Sequence, residues 1–138
     1  MPKTAAVKQN EESPKGFRID AGKPKMALVP TEAIFAIAEV LTRSTIERGG
    51  KYPERNWELG MDWSLCYDAT QRHLLKWQSG HRIDADSGMP NLWHAITDLA
   101  MLLTYEQRGI GTDNLSGVEA KGSSPIQGEF SFSGRPIC

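Results

Sequence analysis

The stretch NLWHAITDLAMLLTYEQR, residues 91–108, decides the fold. Directly after Pro90, Leu92, Ile96, Leu99 and Leu103 recur at i, i+4, i+7 and i+11, one apolar stripe of an α-helix. His94, Asp98, Met101 and Tyr105 form a second stripe on nearly the opposite face. A helix that is apolar on one side and carries His and Asp within the other belongs at the centre of a bundle, where both faces meet neighbours.

Two more helices precede it. One opens at Pro30-Thr31-Glu32, with Thr31 placed to cap free backbone N–H groups. Ile34, Ile37, Ala38 and Leu41 give it an apolar stripe, with Glu32, Glu39, Arg43 and Glu47 opposite, and Gly49-Gly50 is its expected end. The other starts after Asp62-Trp63-Ser64 and runs to Ser79-Gly80. Cys66, Ala69, His73 and Trp77 share one of its sides, while Arg72 and Lys76 sit on another. The expected fold is all-α, with little room for a sheet.

The flanks differ in kind. Residues 1–16 are polar, with Pro2, Pro14 and Gly16, and are expected to form a disordered arm. Residues 110–138 are rich in Gly, Ser and Pro and read as a flexible tail, in which Phe130 and Phe132 alternate with polar residues as a short docking strand would. The folded domain is therefore expected over 17–109.

The chain has 138 residues with 16 basic and 17 acidic side chains, a net charge of -1 that argues against a nucleic-acid polymer as partner. Its longest apolar run, Leu99–Leu103, is far short of the roughly 20 residues a membrane span needs. The first fifteen residues lack the apolar core of a secretory signal, and two cysteines, Cys66 and Cys138, make neither a metal spacing nor a disulfide framework. A reducing cytoplasm is the expected compartment.

Several groups carry candidate chemistry, each beside a plainer account. Asp84 and Asp86, in Asp84-Ala85-Asp86-Ser87-Gly88, could supply oxygens to a hard divalent cation or could simply shape a solvated turn. His94 and Asp98 stand side by side four residues apart, as metal ligands, as an imidazole oriented by a carboxylate, or as a polar pair at a helix interface. Arg72 offers a fork for phosphate oxygens or is a surface charge, and His73 is a ligand, a hydrogen-bond donor or a buried structural histidine. The loop Lys51-Tyr52-Pro53-Glu54-Arg55-Asn56-Trp57 could stack a base and hold phosphate, or could be a lid on the core. Glu32, Glu39 and Glu47 could line a metal site or a solvated face. Lys23 and Lys25, within the run Gly22-Lys23-Pro24-Lys25, could place cations near a phosphate, but the run lacks the ending of a P-loop, which excludes that class of nucleotidase. Cys66, mid-helix among apolar neighbours, is poorly placed as a nucleophile.

Taken in order, these motifs form a pattern. The run Gly22–Pro30, then Lys51-Tyr52, Asn56-Trp57-Glu58-x-Gly60, Arg72-His73-Leu74 with Trp77 and Gly80, Asp84-x-Asp86-Ser87-Gly88, and Asn91-Leu92-x-His94 together resemble the phage dATP/dGTP diphosphohydrolase (MazZ-like) family. The likeness spans about residues 16–109. It implies a MazG-like helical bundle completed by homo-oligomerisation, a Mg2+ or Mn2+ cofactor, and a purine deoxynucleoside triphosphate cleaved to monophosphate and pyrophosphate in the host cytoplasm. The wider superfamily's ExxE and ExxD metal motifs are absent in their usual form, His94-x3-Asp98 being the nearest counterpart of the second.

On this reading Asp84, Asp86, His94 and Asp98 hold the metal, with Glu32 contributing from the first helix, and Asp84, His94 and Asp98 are the catalytic set. Lys23, Lys51 and Arg72 contact phosphates, Asn56 and Trp57 select and stack the base, and His73 is a ligand or a phosphate donor. The missing glutamates keep a rival open, a module that binds nucleotide without cleaving it. A structural helical oligomer without a small-molecule site is the plainest alternative.

Overall fold

The computed structural model describes residues 14–116. The proposed arm up to residue 13 and the tail beyond 116, with Phe130 and Phe132, lie outside the described residues. Three helices, α1 (Thr31–Arg43), α2 (Trp63–Gln78) and α3 (Asn91–Arg108), make up the fold, with short 3-10 turns at Met26–Leu28, Ile46–Arg48 and Asn56–Leu59. Among the described residues there is no strand, only isolated bridges such as Thr45 with Tyr52 and Ile83 with Pro90. The all-α reading holds.

Helix α3 is central, packing along α2 and, less extensively, on α1. It begins directly after Pro90, whose fixed φ suits a helix start, and stops at Gly109 in the left-handed region (φ 66°). Helix α1 departs from expectation at both ends. Pro30 takes the cap position, so Thr31 is the first helical residue and caps nothing. The helix ends at Arg43 rather than at Gly49-Gly50. There the hydroxyls of Ser44 and Thr45 donate to the carbonyls of Leu41 and Thr42, while Tyr52 N–H takes the carbonyl of Ser44. Side-chain bonds and a returning chain replace the next helical turn. The return is close enough that a Cβ on Gly50 would lie 2.2 Å from the Ser44 carbonyl carbon, so only glycine fits.

The burial pattern also differs from the apolar stripes. On α1 the buried residues are Ala36 and Val40, while Ile34 and Phe35 are exposed. On α3 the buried residues are Asn91, Ala95, Thr97 and Tyr105, whereas Leu92, Leu99 and Leu103 are 42%, 53% and 51% exposed. The face bearing polar groups turns inward because α2 brings Cys66, Thr70 and His73 to meet it; a buried hydroxyl, amide or imidazole must find partners. The leucine stripe consequently faces out.

The ordered chain also continues past residue 109, where the sequence placed a domain boundary. Trp63 donates its indole N–H to the Ile110 carbonyl (2.9 Å) and its backbone N–H to Thr112, and Asn114 bonds both the backbone N–H and the hydroxyl of Ser64. Gly60 and Gly111 permit this crossing: a Cβ on Gly60 would lie 2.7 Å from Gly111 N.

Candidate active site

The loop from α1 to α2 folds over the inward face of α3, leaving an open cavity of about 1340 Å3 between them. Of the residues singled out from sequence, Glu47, Lys51, Asn56, Trp57, Arg72, Asp86, His94 and Asp98 are among those that line it, whereas Asp84 and His73 do not. Glu32 lies apart, with Thr31, Phe35 and Trp93 around a separate small pocket, and Lys23, half-buried, lies outside the cavity. Glu39 does not line the cavity but pairs with Arg43 (2.9 Å), which does.

Asp98 is the most perturbed acid. Burial on α3 pushes its carboxyl from 3.8 up to about 6, against the pull of His73 and Arg72. It is thus ionised at neutral pH yet close to its titration, the condition for a group that must take up a proton. Cys66, beside it, is driven to about 11 by burial and by the Asp98 charge, so its thiol stays protonated and unreactive.

The loop from Ile83 to Pro90 holds a second cluster. Asp84 is buried, which raises its carboxyl, but the bonds from Ser87 and Lys76 and the nearby His94 outweigh burial and hold it below the ordinary value. Its Oδ2 accepts the Ser87 backbone N–H (3.0 Å), and Oδ1 takes Lys76 Nζ (3.4 Å). Ser87 Oγ in turn stands 2.6 Å from His94 Nε2 and accepts the Met89 N–H. Ser87 can therefore give its own proton to Nε2, as a neutral His94 carrying Nδ1–H requires. Burial, with His73 and Lys76 assisting and Asp84 opposing, lowers the His94 pKa and favours that neutral ring.

His73 stacks on His94, ring centroids 4.6 Å apart. Asn91, fully buried, orients it: the amide donates to the His81 carbonyl (2.7 Å), which turns Oδ1 toward His73 Nδ1 at 2.8 Å. His73 is consequently the donor at Nδ1, and its Nε2 carries the lone pair when the ring is neutral.

Among the described residues no three His, Cys, Asp or Glu side chains converge as a metal site. The single Nε2 lone pair of His94 is engaged by Ser87, and ligation by it would break that bond, whereas each Asp84 oxygen accepts one hydrogen bond and keeps a second lone pair. Asp98 and Asp86 both line the cavity, and a magnesium ion bound through one or two carboxylates together with substrate phosphates needs no all-protein cage.

Four residues here were not singled out as site residues: Ser87 and Lys76, which fix Asp84 and His94; Asn91, which sets the His73 tautomer; and Tyr105, fully buried, whose hydroxyl donates to the Trp57 carbonyl at 2.6 Å. Each left a sequence signal, Asn91 and Ser87 in the quoted motifs, Lys76 beside Arg72 and Tyr105 on the stripe of His94 and Asp98, but none of those patterns states the partner the side chain meets.

The cavity joins cations, a half-buried carboxylate and an aromatic loop, the furnishings of a site for a small polyanion carrying a ring. A helical protein so built belongs to the class of small-molecule hydrolases and binders rather than to polymer-binding modules. Residues 13–115 match the family described as dATP/dGTP diphosphohydrolase, N-terminal, and the chain belongs to that family of nucleotide-hydrolysing enzymes. No curated protein and no solved structure matches the chain.

Proposed function

We propose that this enzyme hydrolyses dATP and dGTP to monophosphate and pyrophosphate in a reaction that requires Mg2+ or Mn2+. The carrying observation is Asp98, raised to about 6 and lining the same cavity as Arg72, Lys51, Asn56 and Trp57. Arg72 and Lys51 bind phosphate oxygens, Trp57 stacks on the base and Asn56 hydrogen-bonds its edge. Asp98 takes a proton from a water that adds to the α-phosphorus as the bridging oxygen to the β-phosphorus leaves with pyrophosphate. Asp98 and Asp86 would hold the divalent ion, which would supply neutralisation of phosphate charge and a more acidic water. Asp84, Ser87 and His94 are linked to one another at the loop before α3, with His94 and Ser87 lining the same cavity.

The outward leucine stripe of α3 supports a homo-oligomer, as in a MazG-like assembly, since three large apolar side chains in a row on one helix are costly to leave in water. Among the described residues no helix is long and apolar enough to cross a membrane. Remodelling of a phage-infected cell's purine deoxynucleotide pool, in the host cytoplasm, is the role this activity fits.

The test is a panel of dNTPs with Mg2+ or Mn2+, reading pyrophosphate and the nucleotide product. Release from dATP and dGTP, abolished by EDTA, is expected. The lack of a three-ligand cluster among the described residues favours one rival, capture without cleavage. Stoichiometric binding with no pyrophosphate from any dNTP would establish that rival instead.

A further inference from the structure

The Asn56–Trp57 segment sits in a 3-10 turn, Asn56–Leu59, too short to hold its own position. It enters through Arg55, a non-glycine residue in the left-handed region (φ 61°), and leaves through Gly60 at φ 82°. Such a backbone persists only where surrounding structure fixes it. Most of that structure comes from the end of α3. Tyr105 donates its hydroxyl to the Trp57 carbonyl at 2.6 Å, an oxygen that also accepts the Gly60 N–H at 3.1 Å. The Tyr105 ring lies 6.3 Å from that of Trp57, and the Arg108 guanidinium carbon 5.7 Å from the Trp57 ring centroid. Ile110 N–H returns to the Tyr105 carbonyl, tying the same residue to the crossing of Gly111 over Gly60.

We propose that Tyr105 is a positioning residue for the nucleotide: its hydroxyl, buried on the Trp57 carbonyl, sets the height of the Asn56–Trp57 turn above the cavity and thereby the fit of the base. This rests on the reading of Asn56 and Trp57 as base contacts. Tyr105 is fully buried and does not line the cavity, so its loss weakens nucleotide binding while the bond-breaking step keeps its rate.

The experiment uses the full chain with Tyr105→Phe, which keeps the ring and removes the hydroxyl. KM for dATP and dGTP is expected to rise about five- to tenfold, the ratio one lost buried hydrogen bond produces, with kcat within about twofold. Tryptic cleavage after the exposed Lys51 and Arg55, read independently of activity, is expected to accelerate by a similar factor. Thr70→Val is the control: Thr70 is buried on α2, bonds only the Cys66 carbonyl at 2.8 Å and lies off the cavity. It should lower stability without moving KM. An unchanged KM in Tyr105→Phe, or an equal rise in Thr70→Val, overturns the inference. If the unaltered chain cleaves no dNTP, the proposed function fails separately, and the tryptic rate decides this inference: faster cutting in the loop supports it and an unchanged rate overturns it.

Discussion

Replacing Asp98 with Asn pits stability against activity. In the unfolded chain this carboxyl ionises at its ordinary value; in the fold, burial delays ionisation to about 6. The native state thus holds a proton that the unfolded state has released, and the group's contribution to stability is lost as pH rises from about 4 to about 6. The displacement, from 3.8 to about 6, corresponds to about 3 kcal/mol at about 1.4 kcal/mol per pH unit. Solvent reaching this partly exposed side chain reduces the expected gain in Asp98→Asn to about 1–2 kcal/mol. At pH 7.5 the variant should therefore melt about 5–10 °C higher, and the difference should shrink toward pH 4, where both states of the wild type are protonated. The same variant should lose pyrophosphate release by at least about 100-fold, since an amide accepts no proton. Thermal melts at pH 4, 5, 6 and 7.5, paired with turnover assays, read both effects. A variant destabilised at pH 7.5, or one as active as the wild type, would refute the assignment of Asp98 as a strained proton acceptor.

Other outcomes follow from the same geometry. The acidic limb of kcat/KM should fall tenfold per pH unit below about 6, and Arg72→Ala, which removes a charge that holds Asp98 down, should move that limb to higher pH. Asp84→Ala should cost about 1–3 kcal/mol by leaving the Ser87 N–H unpaired, measured by urea unfolding; because the Asp84 carboxyl is held low, that loss should fade as pH drops below about 4. Native Cys66 should resist iodoacetamide, with mass spectrometry finding alkylation there only after denaturation. Gly60→Ala should destabilise by about 2 kcal/mol or more, since its Cβ meets Gly111 backbone at a φ that disfavours side chains. Leu99→Glu with Leu103→Lys should leave the helical circular dichroism intact and reduce the mass found by light scattering; unchanged mass would remove the leucine stripe from the interface.

Helices α2 and α3 were legible because their boundaries are chemical: Asp62 and Pro90 before them, Gly80 and Gly109 behind. Residues at helical spacing, such as Cys66 with His73 or His94 with Asp98, fell on the faces expected. The end of α1 was not legible, because Ser44 and Thr45 stop it only once the chain has returned to Tyr52. Nor was the outward turn of Leu92, Leu99 and Leu103, because periodicity shows that a helix has two faces and not which of them its own chain covers.

Local chemistry in the sequence was enough to set three helices, their order, and the cations, carboxylates and aromatic loop assembled between them. Tertiary structure alone decided that Asp84 and His94 are engaged by Lys76 and Ser87, that Asp98 is desolvated, and that Tyr105 holds Trp57. Each of those depends on a through-space distance of a few ångströms, whether the partners are eight residues apart, as Lys76 and Asp84 are, or 48, as Tyr105 and Trp57 are. Electrostatics and hydrogen bonding follow that distance, and residue spacing along a strand of sequence does not contain it.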